Sequence, residues 1–256
     1  YVNAALVSMC DRYLGKVLDA MDEHGLWRDT MLIVNTDHGF LLGEHGWWAK
    51  CCMPFYNEVA HTPFFVWDPR CGKAGERRQS LVQTIDIAPT VLEFFGVERP
   101  RDMQGKPLRD TVATDAPVRE AGLFGIHGGH VNVTDGRHVY MRAPARSENA
   151  PLFEYTHMPT HMRRTFDVRQ LQDLRLQEPF AFTKGCRTMK IAAGEVWGNP
   201  HQFGTLLFDL EQDPGQERPI QDAAEEKRMT EHLVRLMHET DAPVEQYERL
   251  GLAAER

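Results

Sequence analysis

The sequence predicts an α/β fold followed by a smaller α+β part built on an antiparallel sheet. Three observations lead there. Residues 2–25 place Leu6, Met9, Tyr13, Val17 and Met21 at helical spacing, which marks an amphipathic helix with one buried face. The apolar run Met31-Leu32-Ile33-Val34 is the length of a buried strand and is followed by polar, chemically capable side chains. Much later, short strand candidates at 121–126, 130–134 and 137–142 flank Asp135-Gly136, a strong hairpin turn.

The elements follow in order. Gly25 stops the first helix. Residues 31–35 form a strand and residues 63–67 another, and Asp68 to Gly75 is a turn-rich surface loop. Residues 85–95 read as a helix closed by Gly96, with Pro89 in its first turns, where proline is tolerated. Pro100 to Pro117 carries prolines and charges without a period and separates two parts, 1–110 and 118–256. Residues 145–202 show no pattern that assigns them. A connection of that length is unusual in a compact domain and suggests a functional insertion. Leu206 to Leu210 is a last strand. Asp222 to Thr240 is an amphipathic helix with Met229, Leu233, Leu236 and Met237 inward.

The 256 residues suffice for one large domain or two smaller ones, and 42% hydrophobic content supports a real core. No apolar run approaches the ~20 residues of a membrane span. The formal net charge of −8 argues against nucleic acid as a partner. The five cysteines include the adjacent pair Cys51-Cys52, which forms no ordinary unstrained bridge. No C-x-x-C pair suggests zinc. Free thiols favour a reducing, cytoplasmic setting over a periplasmic or secreted one.

The chemistry concentrates in Asp37-His38-Gly39-Phe40-Leu41-Leu42-Gly43-Glu44-His45-Gly46-Trp47-Trp48-Ala49-Lys50. A carboxylate and an imidazole stand at the end of a strand, where open α/β sheets bind ligands. Successive side chains of an extended chain point to opposite faces, so both reach one ion only if the backbone turns at Asp37. Gly39 makes such a turn easy. Lys50 brings an ammonium to the same crevice. A cation beside an ammonium suits an anionic substrate such as a sulfate or phosphate ester.

This run resembles the sulfatase family of the alkaline phosphatase superfamily, in the Asp-His-Gly…Gly-Glu-His-Gly…Lys form of its iduronate-2-sulfatase-like branch. Met21 to Leu26, Phe55 to Glu58, Thr62 to Trp67, Gln83 to Leu92, Met103 to Leu108 and Leu207 to Pro214 are similar to later signposts of that family, in the same order. The resemblance implies an alkaline-phosphatase-like sheet sandwiched by helices, cut at its N-terminal side, and hydrolysis of a small-molecule or saccharide sulfate ester. It implies Asp37 and His38 as metal ligands, usually for calcium and sometimes for magnesium or manganese. Lys50 would be the catalytic, sulfate-contacting ammonium, and His45 a substrate contact, a support for Lys50 or a brace for the loop. The formylglycine nucleophile belongs to a segment ahead of Tyr1. Ser8 to Arg12 has the spacing of that motif but lies in a helix, and Cys52-Met53-Pro54 is followed by Tyr56 where arginine is needed. Phosphonate monoester hydrolases and phosphodiesterases of the superfamily share the Asp-His…Lys spacing. A truncated, inactive homologue acting as a folded module is the non-enzyme alternative.

Other groups have ordinary alternatives. Trp47 and Trp48 read as packing under the loop, with a sugar platform as the other option. His61, His127 and His130 are candidate substrate contacts or structural histidines. Lys184, Arg187 and Lys190 are an acidic-leaving-group contact or a solvated basic face. Asp209 and Asp213 read as turn residues.

Overall fold

The computed structural model describes residues 2–50, 52, 54–193 and 198–253; Tyr1, Cys51 and Met53 of the sequence reading lie outside them. Helix α1 (Val2–Glu23) ends at Gly25, whose φ of 63° is the left-handed stop its lack of a Cβ permits. Strand β1 (Leu32–Asn35) follows. A hairpin of β2 (Leu41–Leu42) and β3 (Trp48–Ala49) leads to the short helix α2 (Asn57–Ala60) and to β4 (Phe64–Trp67). β4 returns antiparallel to β1, with Leu32 opposite Trp67 and Asn35 opposite Phe64. The Trp67 indole N–H donates to the Trp27 carbonyl at 3.1 Å and meets the Trp27 ring edge-on, which ties the strand pair to the end of α1.

Helix α3 (Ile87–Phe94) and the short α4 (Arg109–Thr114) complete this part. The carboxylate of Asp86, fully buried, organises it. It accepts the backbone N–H groups of Gln83 and Lys106, each at 2.8 Å, and the guanidinium of Arg119. Every lone pair of that buried charge is answered, as burial requires.

The second part contains β5 (Gly122–Gly125), β6 (Val131–Thr134) and β7 (His138–Arg142). Next come β8 (Phe153–Thr156), α5 (Val168–Gln172), β9 (Arg175–Gln177) and β10 (Thr188–Ala192). The chain ends with β11 (Leu206–Asp209), α6 (Ala223–Glu239) and α7 (Val244–Leu250). A four-stranded antiparallel sheet has the order β11-β7-β6-β5, and a three-stranded one the order β8-β10-β9. Alternation along the first sheet sends Val133, Tyr140 and Leu207 to one face, where they pack with Met229, Leu233 and Met237 of α6 and Tyr247 and Leu250 of α7. The other face carries Val139, Met141 and Phe208, and against it lie Tyr56 and Phe124.

Several expectations change. Helix α1 forms as its pattern requires, but of its apolar face only Met21 is buried; Leu6, Met9, Tyr13 and Val17 are exposed, because no described element lies over them. β1 is partly rather than fully buried for the same reason. The stretch 145–202 is no structureless insertion: it supplies β8, α5, β9 and β10. Pro100–Pro117 contains α4. Helix α7 and the β2–β3 hairpin went unpredicted. The hairpin at Asp135-Gly136 and the inward set of α6 stand as expected, with Leu236 at the margin of the core. No described helix is long and apolar enough to cross a membrane.

Candidate active site

The site forms where β1 ends. The chain bends at Asp37. The bend is held locally. The His38 N–H donates to Asp37 Oδ1 at 3.0 Å, and the Thr36 hydroxyl donates to the His38 carbonyl at 3.2 Å. Asp37 Oδ2 then stands 3.1 Å from His38 Nε2. The His38 Nδ1 lies 2.9 Å from the Gly39 carbonyl. A carbonyl only accepts, so Nδ1 carries the proton and Nε2 presents its lone pair outward. Lys50 Nζ reaches that same Nε2. The sequence thus brings carboxylate, imidazole and ammonium together across the hairpin.

The electrostatics fit that use. Desolvation pushes the Asp37 carboxyl upward, but the His38 N–H, the adjacent His38 ring and the Thr36 hydroxyl outweigh it and leave it below the ordinary carboxylate value. Asp37 is therefore ionised at neutral pH. A carboxylate oxygen and an imidazole nitrogen 3.1 Å apart are donor types that calcium, magnesium or manganese could take. Two protein donors are fewer than the six to eight oxygens calcium takes, so a calcium cage here would need further oxygens.

Gly39 earns its place differently from the sequence argument. Its φ is not in the left-handed region. A Cβ there would stand 1.8 Å from the Glu58 carbonyl oxygen. Gly39 and Phe40 donate their N–H groups to the carbonyls of Val59 and Glu58, at 2.8 and 3.1 Å. The glycine is needed so that the segment after His38 can lie directly on α2.

His45 turns into the loop. Its side chain is nearly buried, Nε2 lies 3.4 Å from Glu58 Oε2, and its ring stacks on Tyr56 at 3.7 Å. Among its three sequence-based roles, this geometry is that of a brace for the loop. The two tryptophans divide. Trp47 packs against Leu41 and Val59 and meets Phe203 edge-on, while Trp48 is 68% exposed. Packing is therefore right for Trp47 alone. Ala49 and His45 sit at φ 88° and 54°, left-handed backbone that non-glycine residues seldom adopt and that gathers at functional sites.

The remaining candidates lie elsewhere. His61 and His127 are exposed, with His127 Nε2 3.0 Å from the Phe153 carbonyl. His130 is buried against the Gly204 carbonyl at 2.9 Å, and burial holds its pKa down. Lys184, Arg187 and Lys190 pair with Asp102, Glu178 and Glu245. Among the described residues, the grouping of three metal-capable side chains is Asp135, His138 and Glu225. Arg228 already occupies it, contacting both carboxylates and lying 3.3 Å from His138 Nδ1.

Residues 43–177, more than half of the chain, match the family described as N-sulphoglucosamine sulphohydrolase, C-terminal. The chain belongs to that family. It is a sulfatase-family chain of the alkaline phosphatase superfamily. The matched span begins at Gly43, just past β2, and includes β3 and Lys50; Asp37 and His38 lie before it. A stretch of 124 residues is 35% identical to an N-acetylglucosamine-6-O-sulfatase of Bacteroides thetaiotaomicron, covering 47% of this chain and 22% of that protein. A solved protein in complex with its substrate D-glucosamine-2-N,6-O-disulfate shares the fold over 90% of this chain and 38% of its own, with a TM-score of 0.56 and 21% identity. A phosphonate monoester hydrolase from Silicibacter pomeroyi does so over 90% and 39%, with a TM-score of 0.53 and 20% identity. These likenesses establish an alkaline-phosphatase-like α/β fold with small antiparallel sheets. The sulfatase-family chain spans well under half the length of each of these relatives.

Proposed function

We propose that this chain is the part of a sulfatase that supplies Asp37 and His38 to a divalent cation and Lys50 to the sulfate group of a saccharide ester. The observation that carries the reading is the meeting of Asp37 Oδ2, His38 Nε2 and Lys50 Nζ at one point beside the strand end. When bound, calcium, magnesium or manganese supplies Lewis-acid polarisation of the ester oxygens. The chain's own groups do the rest. His38, with its Nδ1 proton committed to the Gly39 carbonyl, keeps Nε2 available in one tautomer. The Lys50 ammonium contacts a sulfate oxygen and stabilises the charge that develops there. His45 holds the hairpin through Glu58 and Tyr56. In this reading the formylglycine nucleophile lies outside these 256 residues.

The saccharide class rests on likeness. One relative above is named for the 6-O-sulfate of N-acetylglucosamine, and another is solved in complex with D-glucosamine-2-N,6-O-disulfate as substrate. The fold of the phosphonate monoester hydrolase keeps a phosphonate or phosphodiester as the second reading, and relative turnover of aryl sulfate and aryl phosphonate separates the two. The test of the main reading is Lys50→Ala in the sulfatase. Turnover of a sulfate ester is expected to fall by ~10²-fold or more, as for other lost charge-stabilising donors, with cation content unchanged, because an ammonium does not ligate a cation. Wild-type kinetics in that variant would remove Lys50 from the site.

A further inference from the structure

Gln216 lies on the turn after β11, 159 positions from the residue it touches. Its backbone is left-handed, φ 52°, and its side chain is 2% exposed. The side-chain oxygen accepts the backbone N–H of Asn57 at 2.6 Å. The side-chain nitrogen is buried and makes no hydrogen bond among the described residues. A buried, strained, half-satisfied amide is a costly feature, and its one contact explains where it acts.

Asn57 begins α2, a helix of four residues. So short a helix does not hold itself together, and its first N–H groups have no partner within it. Gln216 supplies one. The other side of α2 offers the Glu58 and Val59 carbonyls to Phe40 and Gly39, the residues next to His38. Gly39 leaves no side chain between strand and helix, so a displacement of α2 passes directly to His38. Glu58 also braces His45. We infer that Gln216 is a positioning residue through which the C-terminal sheet sets the geometry of the cation site. The inference rests on the proposed role of Asp37 and His38 as cation ligands.

The test uses three variants of the whole chain. Gln216→Met keeps length and volume and removes the acceptor. Gln216→Glu keeps an acceptor. Asn57→Pro removes the N–H itself, at the first helical position, where proline is tolerated. Tyr56 before it already has φ −59° and ψ 163°, the extended backbone a pre-proline residue needs. Two readouts are taken: Mn²⁺ affinity by calorimetry and amide hydrogen exchange at Gly39 and Phe40. Gln216→Met and Asn57→Pro should each weaken Mn²⁺ binding by about tenfold, as changes outside the ligand shell do, and should speed exchange at both amides. Gln216→Glu buries a charge and should lower overall stability, but it keeps the bond to Asn57 and should therefore keep slow exchange at Gly39 and Phe40. If Gln216→Met does not fold, Asn57→Pro decides. Wild-type affinity and wild-type exchange in Asn57→Pro would overturn the inference. If Asp37→Ala leaves Mn²⁺ binding intact, the cation reading fails by itself, and exchange at Gly39 and Phe40 still decides the coupling.

Discussion

Helix α6 buries Met229, Leu233 and Met237 to 2% exposure or less, whereas α1 leaves Leu6, Met9, Tyr13 and Val17 at 47–59%. Both helices have apolar residues at the same spacing. Helix α6 lies on a four-stranded sheet, whereas among the described residues α1 buries Met21 alone. An amphipathic period thus identifies the face that gains from burial, and packing partners elsewhere in the fold decide whether it is buried. The two parts of the chain are held by different physics as a result. The C-terminal part has the larger apolar core, and the N-terminal part joins a small apolar cluster around Leu41 and Val59 to the buried polar hub at Asp86.

That contrast can be broken by mutation. The largest effect is expected at the hub. Asp86→Ala leaves the nearly buried Arg119 guanidinium without its partner and should cost about 3–5 kcal/mol in urea unfolding, as broken buried pairs do. Next comes the core. Leu233→Ala should cost about 2–5 kcal/mol, while Leu6→Ala on the open face of α1 should stay within about 0.5 kcal/mol. Equal costs for the two leucines would show that α1 is covered in solution.

A smaller effect concerns acid. Asp209 accepts hydrogen bonds from Arg137 at 2.8 Å and from the Glu211 N–H at 3.0 Å. Arg137 above all holds its pKa down, to about 2. A carboxyl with a lowered folded-state pKa contributes stability that is full above its unfolded value of roughly 3.9 and is lost as pH falls toward the folded value. Stability followed from pH 5 downward should therefore drop less steeply between about 4 and 2 in Asp209→Asn than in wild type. Identical acid limbs would mean that the Arg137 pair contributes nothing.

Local signals made much of this legible. Asp135-Gly136 announced its hairpin, Gly25 its helix stop, and Asp37, His38 and Lys50 their meeting, because a strand end followed by glycines leaves few ways to place them. Long-range features left no local trace. β10 pairs with β8 more than thirty residues away, and its short partners alternate too weakly to stand out from the histidines, prolines and arginines around them. Gln216 gave no sign beyond the turn Asp213-Pro214-Gly215 before it, since its partner Asn57 is distant in sequence. The role of Gly39 was legible only in part: a glycine was evidently needed, but the Glu58 carbonyl that requires it becomes visible only in the fold.

The comparison also applies to the two clusters of metal-capable side chains, one in each part. Asp37 and His38 meet the single ammonium of Lys50, at His38 Nε2, whereas Asp135, His138 and Glu225 are bridged by the guanidinium of Arg228. Calorimetric titration of the chain with Mn²⁺ distinguishes them. Asp37→Ala and His38→Ala should each weaken binding by more than about tenfold, and Glu225→Gln should leave it unchanged. Binding that survives both strand-end substitutions and disappears with Glu225→Gln would contradict the account.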